Sequence, residues 1–117
     1  MRYEEPPHLP HDEAASVLQR ALTEPDGSHG SAVIIGLALF DDDREFVEGW
    51  CTTLGLRARD PGLRGSAALS AGHVARRFGK LAPETRAMVY AVAADDEVDG
   101  RKHDAIDDVE MFLGRHP

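Results

Sequence analysis

The side chains with the most chemistry to offer are acids, and they fall into two groups. Asp41, Asp42, Asp43, Glu45 and Glu48 form the first; the second runs from Asp95 to Glu110 and includes Asp104, Asp107 and Asp108. Within the second, Asp95-x-Glu97-x-Asp99-Gly100 has the spacing of the first half of a calcium-binding loop. Such a loop needs a bidentate acid at its twelfth position, and that position is Ile106. The acids therefore read as helix N-terminal charges and a solvated face, and no metal site is assigned. Six histidines are present. His8 and His11 lie close together near the start, and His73 and His103 lie far apart. None adds up to a zinc ligand set with the single cysteine. Cys51 follows Trp50 on an apolar stripe and reads as a buried thiol, because a nucleophile needs a base and an electropositive setting. Gly27 and Gly30 flank Ser28 and His29 without the lysine of a phosphate loop. No Gly-x-Ser-x-Gly occurs. The sequence thus predicts neither an enzyme nor a cofactor.

The basic residues are unevenly spread. Arg57, Arg59, Arg64, Arg76, Arg77 and Lys80 fall between residues 55 and 80, against one acid, Asp60. Two readings stand open. The arginines pair with acids inside the fold, or they form with Asp104, Asp107 and Asp108 a bipolar surface for a partner.

The whole chain bounds these readings. Its 117 residues suffice for one domain. With 42% hydrophobic and 29% charged residues, it has the composition of an ordinary soluble globular protein. A formal net charge of −8 argues against a nucleic-acid binder, which needs a basic surface. No apolar run has the length of a bilayer span, and the N-terminus carries acids and prolines instead of an apolar signal core. The expectation is a cytoplasmic protein that does not enter a membrane.

The elements that must position these residues read as helices throughout. Residues 1–11 hold three of the seven prolines and predict a flexible Pro-rich tail, loose unless it docks. Residues 12–117 form a single domain. Helix one is predicted at 12–23, capped by Asp12, with Ala14, Val17, Leu18, Ala21 and Leu22 inward. Helix two, at 28–40, is apolar on every face. Its Val33-Ile34-Ile35 run could suit a strand, but its length and flanks favour a helix. Helix three, at 43–58, starts at an Asp42/Glu45 capping box and turns Phe46, Val47, Trp50, Cys51 and Leu54 inward. Asp60-Pro61 opens helix four at 61–78 and Gly79 closes it. Pro83 opens helix five at 83–94. Helix six runs over 97–113, with Gly100 in its first turn.

An offset of 35 residues then appears. Gly30-Ser31-Ala32 aligns with Gly65-Ser66-Ala67, Gly65 with Gly100, and Leu39 with Val74 and Val109. Asp60 aligns with Asp95, and the helix boundaries stay in phase. This predicts three stacked two-helix units.

The stretch Leu54 to Arg77, LGLRARDPGLRGSAALSAGHVARR, resembles a HEAT repeat of the short bacterial kind. The matching residues are Leu54, Asp60-Pro61, Leu63-Arg64 and Ala67-Ala68-Leu69. Residues 95–109 resemble a degenerate copy, and residues 12–40 a weaker one. The repeat arginine, Arg64, becomes His29 before and Asp99 after, which interrupts the family's Asp/Arg ladder. Residues 91–106 also faintly resemble the acidic helix-turn of tellurite-resistance B-type domains, a resemblance that would imply divalent-ion binding. The HEAT resemblance implies an all-α, right-handed α-solenoid of three repeats that binds another protein.

At the far end, aligned positions change from Ile34 and Leu69 to Asp104, from Leu37 to Asp107 and from Ala38 to Asp108. A terminal repeat needs such a polar face. Helix two has none, so helix one, the tail, a second copy or a partner must cover it. The expected role is a non-catalytic interaction module for a single basic protein, of immunity or adaptor type. The proposed contact residues are Arg57, Arg59, Arg64, Arg76, Arg77, Asp104, Asp107 and Asp108, and a homodimer through the N-terminal hairpin is a further expectation. The alternatives are a metal-binding stress-response module and a HEAT-like enzyme that processes nucleic acid.

Overall fold

A computed structural model describes residues 6–95, 97–98 and 101–114. Six helices and no strand occur among them: α1 (His11–Ala21), α2 (Ser28–Phe40), α3 (Arg44–Arg57), α4 (Pro61–Phe78), α5 (Pro83–Ala93) and α6 (Arg101–Leu113). The placement of Gly100 in helix six lies outside the described residues.

Local signals set most boundaries. The Asp60 carboxylate accepts the Gly62 N–H at 3.0 Å, Pro61 takes the first helical position, and Gly79 ends α4 at φ 69°. Two caps differ from expectation. Asp43, not Asp42, caps α3 by accepting the Phe46 N–H at 3.1 Å. It is held there by Asp41, whose Oδ1 accepts the Asp43 N–H at 2.9 Å. Asp12 does not cap α1, because that helix already begins at His11 behind Pro10. Asp12 instead stands in the first turn, where its charge complements the helix dipole.

The centre is α4, which packs against α2, α3, α5 and α6. Its 18 residues span about 27 Å. Gly65, Ser66, Ala67, Ala68, Ala71 and Gly72 are all buried, so small side chains let four helices approach one axis. Larger fully buried side chains come mostly from the other helices, Leu18, Ile34, Leu37, Leu54, Met88 and Val109, with Leu63 and Val74 from α4 itself. Further helix pairs are α1 with α2, α3 with α5, α5 with α6 and, less extensively, α2 with α3. By contrast, α1 makes no extensive contact with α3. Phe46 and Trp50, expected inside, are therefore only partly buried on the side of α3 that faces α1.

The all-apolar helix is covered more fully than an end element would predict. Val33, Ile34, Leu37 and Ala38 are buried, Ile35 and Leu39 are partly buried, and Phe40 is 49% exposed. Part of the cover is the N-terminal stretch. Leu9 packs on the core, and Pro7 crosses α2 at Gly36. A Cβ built on Gly36 would lie 2.7 Å from the Pro7 carbonyl carbon, so only glycine admits this crossing. The proline-rich segment is docked from Pro7 onward. No helix among the described residues is long and apolar enough to cross a membrane.

Candidate functional site

The arginines that sequence groups together are split by the fold between the two ends of α4, and several are engaged within the chain. At the first end, Arg64 Nη1 donates to the Ala58 carbonyl at 2.8 Å, which satisfies the C-terminus of α3. Its Nη2 reaches Asp95 at 3.2 Å and Glu97 at 3.1 Å, in the connection before α6. At the other end, Arg77 Nη1 donates to the carbonyls of Ala38 and Asp41 at 2.8 and 2.9 Å, at the C-terminus of α2. Its Nη2 pairs with Asp42 at 3.1 Å. Arg76 Nη2 meets His73 Nδ1 at 2.7 Å. Arg57, Arg59 and Arg76 are exposed. Among the acids of α6, Asp104 and Asp107 are exposed, whereas Asp108 is half-buried against α4 at Gly72.

Asp41 is the buried member of the first acidic group, with 5% of its surface exposed. His8 and His11 both donate from Nε2 to its Oδ2, at 3.1 and 2.9 Å. His11 also stacks on Phe46, with ring centroids 3.8 Å apart and planes within 4°. Burial works to raise the Asp41 carboxyl. The Asp43 N–H and the two imidazoles, with the charge of His11, outweigh it and hold the carboxyl below the usual carboxylate range. One carboxylate thus fastens the N-terminal segment to the α2–α3 turn. Sequence showed both partners but not their meeting.

Other candidates have structural roles. Cys51 is fully buried; burial, then the nearby Glu48, push its thiol far above the ordinary range, the opposite of activation. His73 is half-buried; burial, then Arg76, lower its pKa against the pull of Asp108. Among the described residues, no three His, Cys, Asp or Glu side chains come together as a metal-binding group.

The open face of α3 remains. Two grooves of about 440 Å³ each flank it. The groove toward α1 is walled by Phe46 and Trp50, with Gln19 opposite. The groove toward α5 runs past Thr52 and Thr85, whose hydroxyls are 3.0 Å apart. At its end the buried Glu48 accepts the Ala82 N–H at 2.8 Å and pairs with Arg44. Glu45, Gly49 and Thr53 line both grooves and form the ridge between them. A Cβ built on Gly49 would meet nothing within 4 Å, so the ridge is notched there. Sequence reasoning missed this face. Its one signal was Gly49, an exposed glycine in mid-helix that costs about 1 kcal/mol against alanine.

Comparison with protein-family models, curated proteins and solved structures finds no match for this chain.

Proposed function

We propose that the chain is a short α-solenoid of three HEAT-like hairpins, α1–α2, α3–α4 and α5–α6, that acts without catalysis by binding a single basic protein. One observation carries the repeat reading. Most polar bonds between neighbouring hairpins link residues about one period apart, whereas Tyr90 to Glu110, 20 residues apart, joins the two helices of the last hairpin. Gly27 N–H to Asp60 spans 33 residues, Thr52 to Thr85 33, Ala82 N–H to Glu48 34, Arg64 to Asp95 31 and Arg77 to Asp42 35. The contacts of α4 with both α2 and α6, and of α3 with α5, accord with hairpins stacked in sequence order. Asp60 accepts the Gly27 N–H of the preceding turn and Arg64 reaches Asp95 in the following one, which gives a single Asp/Arg rung between the second and third hairpins.

The binding reading rests on charge. The net charge is −8. Arg44, Arg64 and Arg77 are held by carboxylates of the chain itself; each such pair removes one base and one acid together, so the surplus of negative charge stays with the rest of the surface. An acidic module of this size suits the tight blocking of a basic partner, as an immunity or adaptor protein would do. A cytoplasmic setting accords with the lone reduced thiol of Cys51. The competing partner is a second copy through the N-terminal hairpin, where Phe40 is the large apolar side chain left exposed. No geometry among the described residues favours the metal-binding or nucleic-acid-processing alternatives.

The test is copurification of the tagged full chain at low and high salt, followed by mass spectrometry. The expected result is one protein with a basic surface, released as ionic strength rises. Recovery of nucleic acid alone, or of an acidic partner, would contradict the proposal.

A further inference from the structure

We propose that the two grooves flanking α3 are the docking site for an arginine- or lysine-bearing segment of the partner. This rests on the interaction-module reading above and gives it an address. Three features of the face converge. First, Trp50 and Phe46 present partly buried rings in a groove that no helix of the chain fills. Aromatic rings at the wall of an open groove take the aliphatic stems of Arg and Lys and attract their charged heads. Second, the charges lining the two grooves are Glu45, Glu48, Glu84 and Arg44. Arg44 is held by Glu48. Glu45 and Glu84 are exposed and make no ion pair among the described residues. The surplus is therefore negative, and it selects a cationic occupant over a phosphate-bearing one. Third, Gly49 lines both grooves and puts no side chain on the ridge between them, so a partner can seat side chains on both sides of α3 while its backbone passes close over the ridge. The stack of His11 on one face of Phe46 holds that ring of the α3 wall in place.

Trp50 is the only tryptophan, so intrinsic fluorescence reports this site directly. The probe is a synthetic helical peptide of roughly four turns made of leucine, alanine and arginine, with a glutamate-for-arginine version as its counterpart. The full chain is titrated with each. The arginine peptide is expected to change Trp50 emission saturably, and the glutamate peptide is not. Gly49→Lys fills the notch at an exposed helical position with open space, so it leaves the fold intact by circular dichroism. It is expected to weaken the arginine peptide about tenfold or more. Asp104→Asn, which alters the net charge by the same single unit on α6, is expected to stay within about twofold. Glu45→Gln combined with Glu84→Gln is expected to weaken the peptide and flatten its salt dependence. Unchanged affinity in Gly49→Lys would overturn the groove while leaving the module reading intact. Equal binding of both peptides, or of neither, would overturn the groove and remove the charge argument for a basic partner as well.

Discussion

Gly36→Ala tests the docked N-terminal segment through the sign of its effect. In an exposed helix interior, glycine to alanine stabilises by about 1 kcal/mol. In α2 the new methyl group would enter the Pro7 carbonyl group. Backbone cannot yield there as a flexible side chain could, so the segment must lift. Lifting breaks the bonds from His8 and His11 to Asp41. The imidazoles are 47% and 42% exposed, so each bond is discounted to about 1 kcal/mol. Losing the partial burial of Leu9 adds about 1 kcal/mol. Set against the helix gain, the net effect is a destabilisation of about 1–2 kcal/mol, or about 4–8 °C in melting temperature for a chain of this size. Thermal unfolding of the full chain and of a shortened chain starting at His11 measures it. The substitution is expected to destabilise the full chain and to stabilise the shortened one. A higher melting temperature for Gly36→Ala in the full chain would refute the docking.

Three further outcomes follow from the same geometry. The Asp41 carboxyl is depressed in the fold, so its contribution is fully present above the unfolded value of about 3.9 and is lost as pH falls through the lower folded value; Asp41→Asn should cost about 1–3 kcal/mol at pH 7 and shrink toward zero in acid, as read by urea unfolding across pH. Arg64→Ala should cost about 1–2 kcal/mol and speed amide exchange most between Val92 and Val98, whereas exchange spread evenly over the chain would contradict its role as a tie to that connection. Cys51 is fully buried with a raised thiol pKa, so its labelling by a thiol reagent should proceed only as fast as the chain opens; rapid labelling of the folded chain would show that α3 is rotated from the described register.

What sequence made legible was local. Asp60-Pro61, Gly79 and Pro83 announce the ends of α4 and the start of α5 because caps and proline act within one turn. The burial of α4 on nearly every side between Gly65 and Gly72 was not legible from helical periodicity, because it depends on the four helices that surround it. The caps of α1 and α3 fall two residues and one residue from the expected acids, since Pro10 and the Asp41–Asp43 bond decide them. The position of Trp50 was not legible. Its stripe points inward only if a helix packs on that side, and α1 leans on α2 instead. Nor was the docking at Gly36, which depends on a backbone crossing about 29 residues away in the chain. The internal roles of Arg64 and Arg77 were half-legible: pairing within the fold was one of two readings, and the geometry of the helix ends decides it.

The most direct measurement is a hydrogen-exchange footprint of the full chain in complex with its captured basic partner. The account predicts slowed exchange concentrated on the outer ridge of α3, around Glu45, Gly49 and Thr53, and on the first turn of α5 at Glu84. Slowed exchange on the outer face of α6, around Asp104, Asp107 and Met111, with α3 unchanged, would contradict it.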